Sequence, residues 1–291
     1  MIEYGRKYSP SGLKTDTVMT DECITANDNS TPETARRAPI AVIDSGVGGI
    51  SVLRELVRIM PNESYVFFGD EANAPYGTKT REAVGRITEE NVDFLIDRYH
   101  IKELVIACNT ATGAAAKRLR ELHPDIPIIG IEPEIKSACA LPGTPRVLIM
   151  ATPLTLRQPK FRALLSRYES GAAVTLLPCP GLMELIEEGH TDGELLRGYL
   201  RSLFASMNEP CESFDAVVLG CTHYPHAGKA IAGFFPHARF YDGCRGTAAE
   251  AARRLESLGM CTDTRAQGGI EYITTSDNPG FRAICERLMR A

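Results

Sequence analysis

The sequence predicts an α/β protein with mainly parallel sheets, built as two similar units that share a cleft. Three observations carry that prediction. Short β-branched and leucine-rich runs alternate with helix-length segments along most of the chain, a rhythm that builds parallel sheets with helices on their faces. Two of the runs have one form: Leu104-Val105-Ile106-Ala107-Cys108-Asn109-Thr110 and Val217-Val218-Leu219-Gly220-Cys221-Thr222-His223-Tyr224-Pro225 each pass from an apolar strand through a small residue to a thiol and short polar side chains. Open α/β sheets bind ligands beyond the C-terminal ends of their strands, so each stretch offers one thiol to a common site. A length of 291 residues exceeds an ordinary single core, and two domains are the expectation.

Residues 1–38 hold Ser, Thr, Asp, Asn and Pro without an apolar period and read as a disordered extension. Ile40-Ala41-Val42-Ile43-Asp44 is then a buried strand. Ser45-Gly46-Val47-Gly48-Gly49 forms a Gly-rich turn, and Leu53, Leu56, Val57 and Met60 mark a helix closed by Pro61. The turn is not a dinucleotide loop: it lacks the third Gly at the required offset, and the carboxylate of Asp44 would repel a pyrophosphate. Asp44 and Ser45 could cap the following helix, act chemically, or both.

Ser64–Gly69 is a second strand, and Asp70–Lys79 a loop that Pro75 stiffens and Gly77 frees. Val92, Leu95, Ile96 and Tyr99 carry helical spacing. Strand 103–108 delivers Cys108, and Asn109 and Thr110 open an Ala-rich helix whose free amides and dipole would favour an anion or a thiolate. After strand 127–131, Glu132-Pro133-Glu134 crosses to a second unit. Its strands fall at 146–151, 173–177, 215–220 and 238–241. Helices follow Thr152, cover Glu184 to Glu188, span about 191–207 and open at Asp242–Thr247. A strand near 270–274 and a last helix end the chain.

With 44% hydrophobic and 24% charged residues the chain should fold as a globular protein, and a net charge of −5 gives no reason to expect nucleic acid or an anionic membrane as a general partner. No apolar run reaches the ~20 residues that span a bilayer and none marks a secretory signal, so a cytoplasmic location is expected. Nine scattered cysteines without a CxxC pair read as reduced thiols, and spacing predicts no metal site.

Asp44-Ser45-Gly46-Val47-Gly48-Gly49, Pro75-Tyr76-Gly77, Ala107-Cys108-Asn109-Thr110-Ala111 and Gly220-Cys221-Thr222-His223-Tyr224-Pro225 together resemble the four motifs of the glutamate racemases, in that family's order and approximate spacing. The resemblance covers about 39–289. It implies two α/β domains related by a pseudo-twofold axis, 39–132 completed by 243–291 and then 133–242, with the active site between them. It implies cofactor-independent interconversion of L- and D-glutamate, supplying D-glutamate for peptidoglycan. Cys108 and Cys221 would be the catalytic bases, Cys108 acting on D-glutamate and Cys221 on L-glutamate. Asp44 and His223 would assist them, and Ser45, Pro75, Tyr76, Gly77, Asn109, Thr110 and Thr222 would hold substrate together with Asp44 and His223. Glu187 matches an auxiliary acidic position, with Glu184 and Glu188 as close competitors. Asp242-Gly243-Cys244-Arg245 departs from the Asp-Ser-Gly usual in the family. On the partner side the resemblance points to glutamate, to a homodimer, and, through Pro133-Glu134-Ile135-Lys136, to a subgroup activated by a cell-wall precursor.

Two thiols suit such a reaction. Inverting an α-carbon takes a proton from one face and returns one to the other, so two fixed bases avoid moving a single base across a short-lived carbanion. A thiol with a reference pKa of ~8.5 can serve as either acid or base once its surroundings tune it. Aspartate racemases share the two-domain plan, and a non-catalytic amino-acid-binding protein would keep the cleft without its chemistry; the Pro-Tyr-Gly and Cys-Thr-His-Tyr-Pro wording favours glutamate, and both thiols favour catalysis.

Overall fold

The computed structural model describes residues 32–290. Of the extension expected to be disordered over 1–38, residues 1–31 lie outside the described part, and the rest departs from expectation by forming a short helix, α1 (Pro32–Arg37). Tertiary contacts order it where apolar periodicity is lacking. Arg37 pairs with Asp263 at 3.6 Å, and the buried Lys102 donates from Nζ to the carbonyl of Arg36.

The first unit runs β1 (Ile40–Asp44), α2 (Ile50–Ile59), β2 (Tyr65–Gly69), α3 (Arg81–Tyr99), β3 (Glu103–Ile106), α4 (Asn109–Leu122) and β4 (Ile128–Gly130). The second runs α5 (Ile135–Cys139), β5 (Arg146–Ala151), α6 (Pro153–Arg157), α7 (Pro159–Leu165), β6 (Ala173–Pro178), α8 (Leu182–Glu187), α9 (Glu194–Ala205), β7 (Ala216–Leu219), α10 (Gly228–Ala232) and β8 (Arg239–Asp242). The chain closes with α11 (Cys244–Ser257), β9 (Ile270–Thr274) and α12 (Phe281–Arg290).

Every strand pair is parallel. The sheets are ordered β4-β3-β1-β2-β9 and β6-β5-β7-β8. Numbered within its own unit, each sheet reads second, first, third, fourth strand, so both share one doubly wound topology. β9 brings the end of the chain back beside β2, pairing Gly69 with Thr274. In this topology the crevice opens where the first and third strands lie side by side. Those strands are β1 and β3 in one sheet, β5 and β7 in the other.

The cores explain the register. Along β1, Ile40 and Val42 face a cluster with Leu53 and Leu56 of α2, Ala248 and Leu255 of α11 and Phe281 of α12, whereas Ala41 and Ile43 face Val92, Leu95 and Leu119 of α3 and α4. Side chains alternate across a strand, so a sheet covered on both faces needs apolar residues at every position. The second sheet does the same, with Leu148, Val217 and Leu219 on one side and Val147, Ile149 and Val218 on the other.

Candidate active site

Both thiols lie just beyond the third strand of their unit. Cys108 keeps extended backbone (φ −119°, ψ 118°) as the residue capping α4, so β3 ends two residues earlier than the run 103–108 suggests. Its Sγ lies 3.8 Å from Ser45 Oγ. The helix terminus does favour the thiolate through an amide of its first turn, but the surroundings outweigh it. Burial, seconded by the carboxylate of Asp44, pushes the Cys108 thiol well above its ordinary range, and the amide of Ala111 offsets only part of that.

Asp44 ends β1 and is buried. Its Oδ2 accepts from the amide of Gly49 at 2.7 Å, tying the Gly-rich turn to the strand, while Oδ1 has no partner among the described residues. Burial raises the Asp44 carboxyl, against the opposing pull of His223 and the Gly49 amide. One carboxylate oxygen thus holds the turn and the other is left without a partner among the described residues.

On the other wall, Cys221 Sγ lies 3.7 Å from His223 Nδ1, and His223 Nε2 lies 2.5 Å from Glu187 Oε1. The same carboxylate oxygen accepts from the amide of Val47 at 3.0 Å, which bridges the two units. Burial alone would depress the imidazole. The hydrogen bonds to Cys221 and Glu187 and the charge of Glu187 hold it well above its usual range. Burial would raise Glu187, yet its contact with His223 brings it below the usual carboxylate value. The two directions describe an imidazolium facing a carboxylate.

The glycines of the turn 45–49 make room for this pair. A Cβ on Gly46 would stand 1.9 Å from Glu187 Oε1, and one on Gly48 would stand 2.2 Å from His223 Nδ1. Close backbone approach is what Gly alone permits. The Gly-rich turn accommodates side chains of the second unit.

Ser45, Tyr76, Gly77, Cys108, Asn109, Thr110, Thr152, Met183, Gly220, Cys221, Thr222 and His223 line one small enclosed cavity of about 10 Å³, close to the space of a single water. Asp44, Pro75 and Glu187 are not among its lining residues. Tyr76 is held from behind, its hydroxyl donating to Asp70 Oδ2 at 2.5 Å. Asn109 keeps a buried Oδ1 without a partner among the described residues. Thr110 Oγ1 lies 3.1 Å from the hydroxyls of both Thr152 and Thr155, joining the two walls.

Sequence reasoning missed Thr152, Met183 and Asp70. Thr152 follows β5 as Ser45 follows β1, so aligning the two units strand by strand would have found it. Asp70 takes hydrogen bonds from Tyr76, Asn73, Asn91 and Thr275, partners spread over some two hundred positions that no local pattern links. Among the described residues no three His, Cys, Asp or Glu side chains are grouped to hold a metal ion. A second, larger cavity of about 730 Å³ contains neither thiol and is lined by Arg120, Glu132, Glu134, Arg253 and Arg254 among others.

Residues 40–251 match the family described as Asp/Glu/Hydantoin racemase. The glutamate racemase of Clostridium acetobutylicum is 42% identical over 251 residues, covering 86% of this chain and 97% of that one. The crystal structure of glutamate racemase from Francisella tularensis in complex with D-glutamate is similar at TM-score 0.76 and 27% identity, over 88% of this chain and 95% of that one. That of the Escherichia coli enzyme, in complex with L-glutamate and the activator UDP-MurNAc-Ala, is similar at TM-score 0.73 and 29% identity, over 87% and 95%.

Proposed function

The chain belongs to the Asp/Glu/Hydantoin racemase family and is an amino-acid racemase, an isomerase, and on that premise we propose that it interconverts L- and D-glutamate by a two-thiol proton transfer. The observation that carries this reading is the pair of buried thiols entering one cavity from topologically equivalent strands of two sheets. Cys221 takes the α-proton of L-glutamate while Cys108 returns one to the opposite face, and the reverse reaction exchanges their roles. His223, fixed through Nε2 by Glu187, turns Nδ1–H toward Cys221 and steadies the sulfur as its charge changes. Asp44 assists on the Cys108 side. Ser45, Asn109, Thr110, Thr152 and Thr222, with Tyr76 and Gly77, hold the substrate's polar ends; Pro75 sets the loop that carries Tyr76.

The biological role we assign is supply of D-glutamate for peptidoglycan in the cytoplasm. Among the described residues no helix is long and apolar enough to cross a membrane. Activation by a cell-wall precursor is part of the same proposal. The activator complex of the Escherichia coli relative supports it, and Glu134, in the segment singled out in the sequence, lines the larger cavity, where Arg120, Arg253 and Arg254 stand among the carboxylates of Asp125, Glu132, Glu134 and Glu250. A homodimer and the domain limits 39–132 with 243–291 and 133–242 stay within the proposal.

The test replaces each thiol and follows elimination of hydrogen halide from the two enantiomers of a β-halogenated glutamate, a reaction that needs only one base. Cys221→Ala should process the D-form and Cys108→Ala the L-form, with racemisation abolished in both. Equal loss of both enantiomers in both variants would reject the two-thiol assignment.

A further inference from the structure

The turn that carries Cys221 and His223 has a defect that its own sequence creates. Across residues 221–226 the amide of Tyr224 bonds back to the carbonyl of Cys221 and the amide of His226 to that of His223. The bond between them, onto the carbonyl of Thr222, would come from residue 225, which is Pro and has no N–H. Thr222 is buried, and a buried carbonyl left without a donor is destabilising.

The missing donor comes from the other unit. Ser51, buried in the first turn of α2, lies with Oγ 3.0 Å from the Thr222 carbonyl and 2.9 Å from that of Gly48. A hydroxyl has one proton to give. The Gly48 carbonyl already accepts from the amide of Ser51 at 3.0 Å and from His226 Nε2 at 3.3 Å, so the Thr222 carbonyl is where the proton is needed. Cys244, the first residue of α11, donates its S–H to Ser51 Oγ at 3.3 Å, which occupies a lone pair and leaves the hydroxyl proton free to point at Thr222. Cys244 lies in the segment where this chain departs from the family's wording.

We propose that Ser51 is a positioning residue for the Cys221 arm: its hydroxyl, oriented by the Cys244 thiol, anchors the Thr222 carbonyl and so sets Cys221 and His223 against the Gly-rich turn. This rests on the two-thiol reading of the cleft. Its consequence is one-sided, because Cys108 stands on a different strand with no share in this contact.

The experiment compares wild type, Ser51→Ala and Ser51→Thr in the full chain. Hydrogen–deuterium exchange over 221–227 reads the anchor itself, and halide elimination from each enantiomer of the β-halogenated glutamate reads its effect on the thiols. In Ser51→Ala, exchange over 221–227 should rise and elimination from the L-form should fall about tenfold, with the D-form changed less than about twofold. Ser51→Thr, which keeps a hydroxyl, should recover most of the L-form rate. Unchanged exchange over 221–227, or equal slowing of both enantiomers, would overturn the proposal. Failure of the two-thiol reading is visible separately, as a Cys221→Ala variant without enantiomer preference. In that event exchange over 221–227 alone decides whether Ser51 anchors the turn.

Discussion

Gly48 shows how narrowly single residues set this cleft. The nearest atom to a Cβ placed there would be His223 Nδ1, part of a buried ring held at its far nitrogen by Glu187 and unable to swing aside. Gly48→Ala should therefore displace the imidazole from Cys221. Elimination from the L-form is expected to fall about 100-fold, or about 2.7 kcal/mol, with a smaller loss for the D-form. Parallel kinetics on the two enantiomers check this, and equal losses would show that the ring's place is unimportant. Much at this scale was legible in the sequence: a small residue before a thiol and short polar residues after it mark a strand end, and two such stretches together imply a shared cleft. Among Glu184, Glu187 and Glu188 the resemblance favoured Glu187 without local support, and the facing of α8 turns that residue toward His223. Ser51 was equally hidden, because its partner Thr222 lies 171 positions away.

At the scale of elements, β3 carries an anomaly in its first residue. Glu103 is fully buried, and neither carboxylate oxygen finds a partner among the described residues. Burial raises its pKa to about 8, with Lys102 pulling the other way. A carboxyl raised in the folded state binds its proton more tightly there than in the unfolded chain. Its contribution to stability is therefore complete below about pH 4.5 and is lost as the pH rises toward 8. Glu103→Gln, which cannot ionise, should leave the protein more stable than wild type at pH 8, by up to a few kcal/mol, with the advantage vanishing toward pH 4.5. Denaturant midpoints across that range measure it, and a pH-independent difference would contradict the assignment. The strands themselves were easy to read because sheets covered on both faces demand continuous apolar runs. Short helices such as α1 and α5 were not, since six and five residues carry too little period to register.

For the whole molecule, truncation on either side of α1 reads what that helix contributes. Removing residues 1–31, which lack an apolar period, should leave cooperative melting and basal racemisation largely intact. Removing 1–37 also takes away the Arg36 carbonyl, one of three acceptors of the buried Lys102 ammonium among the described residues alongside Glu63 and Met260, and should lower the melting temperature by several degrees. Calorimetry on the two truncations tests both statements.

The enclosure of the cavity reaches further than geometry. On the proposed two-thiol mechanism, turning L-glutamate into D-glutamate leaves the proton on Cys221 and takes one from Cys108, so the form that releases product would differ from the form that bound substrate. It is a second free form, prepared only for the D-enantiomer. With the thiols 6% and 8% exposed in a cavity of about 10 Å³, exchange of protons between those two forms through solvent should be slow. At high flux that recovery is then expected to become the slow step. A trace of labelled glutamate already at isotopic equilibrium should then be driven away from it when a large excess of one unlabelled enantiomer is added, and should return once the unlabelled pool has equilibrated. A tracer that never leaves its equilibrium ratio would mean that the thiols recover their protons faster than substrate can arrive.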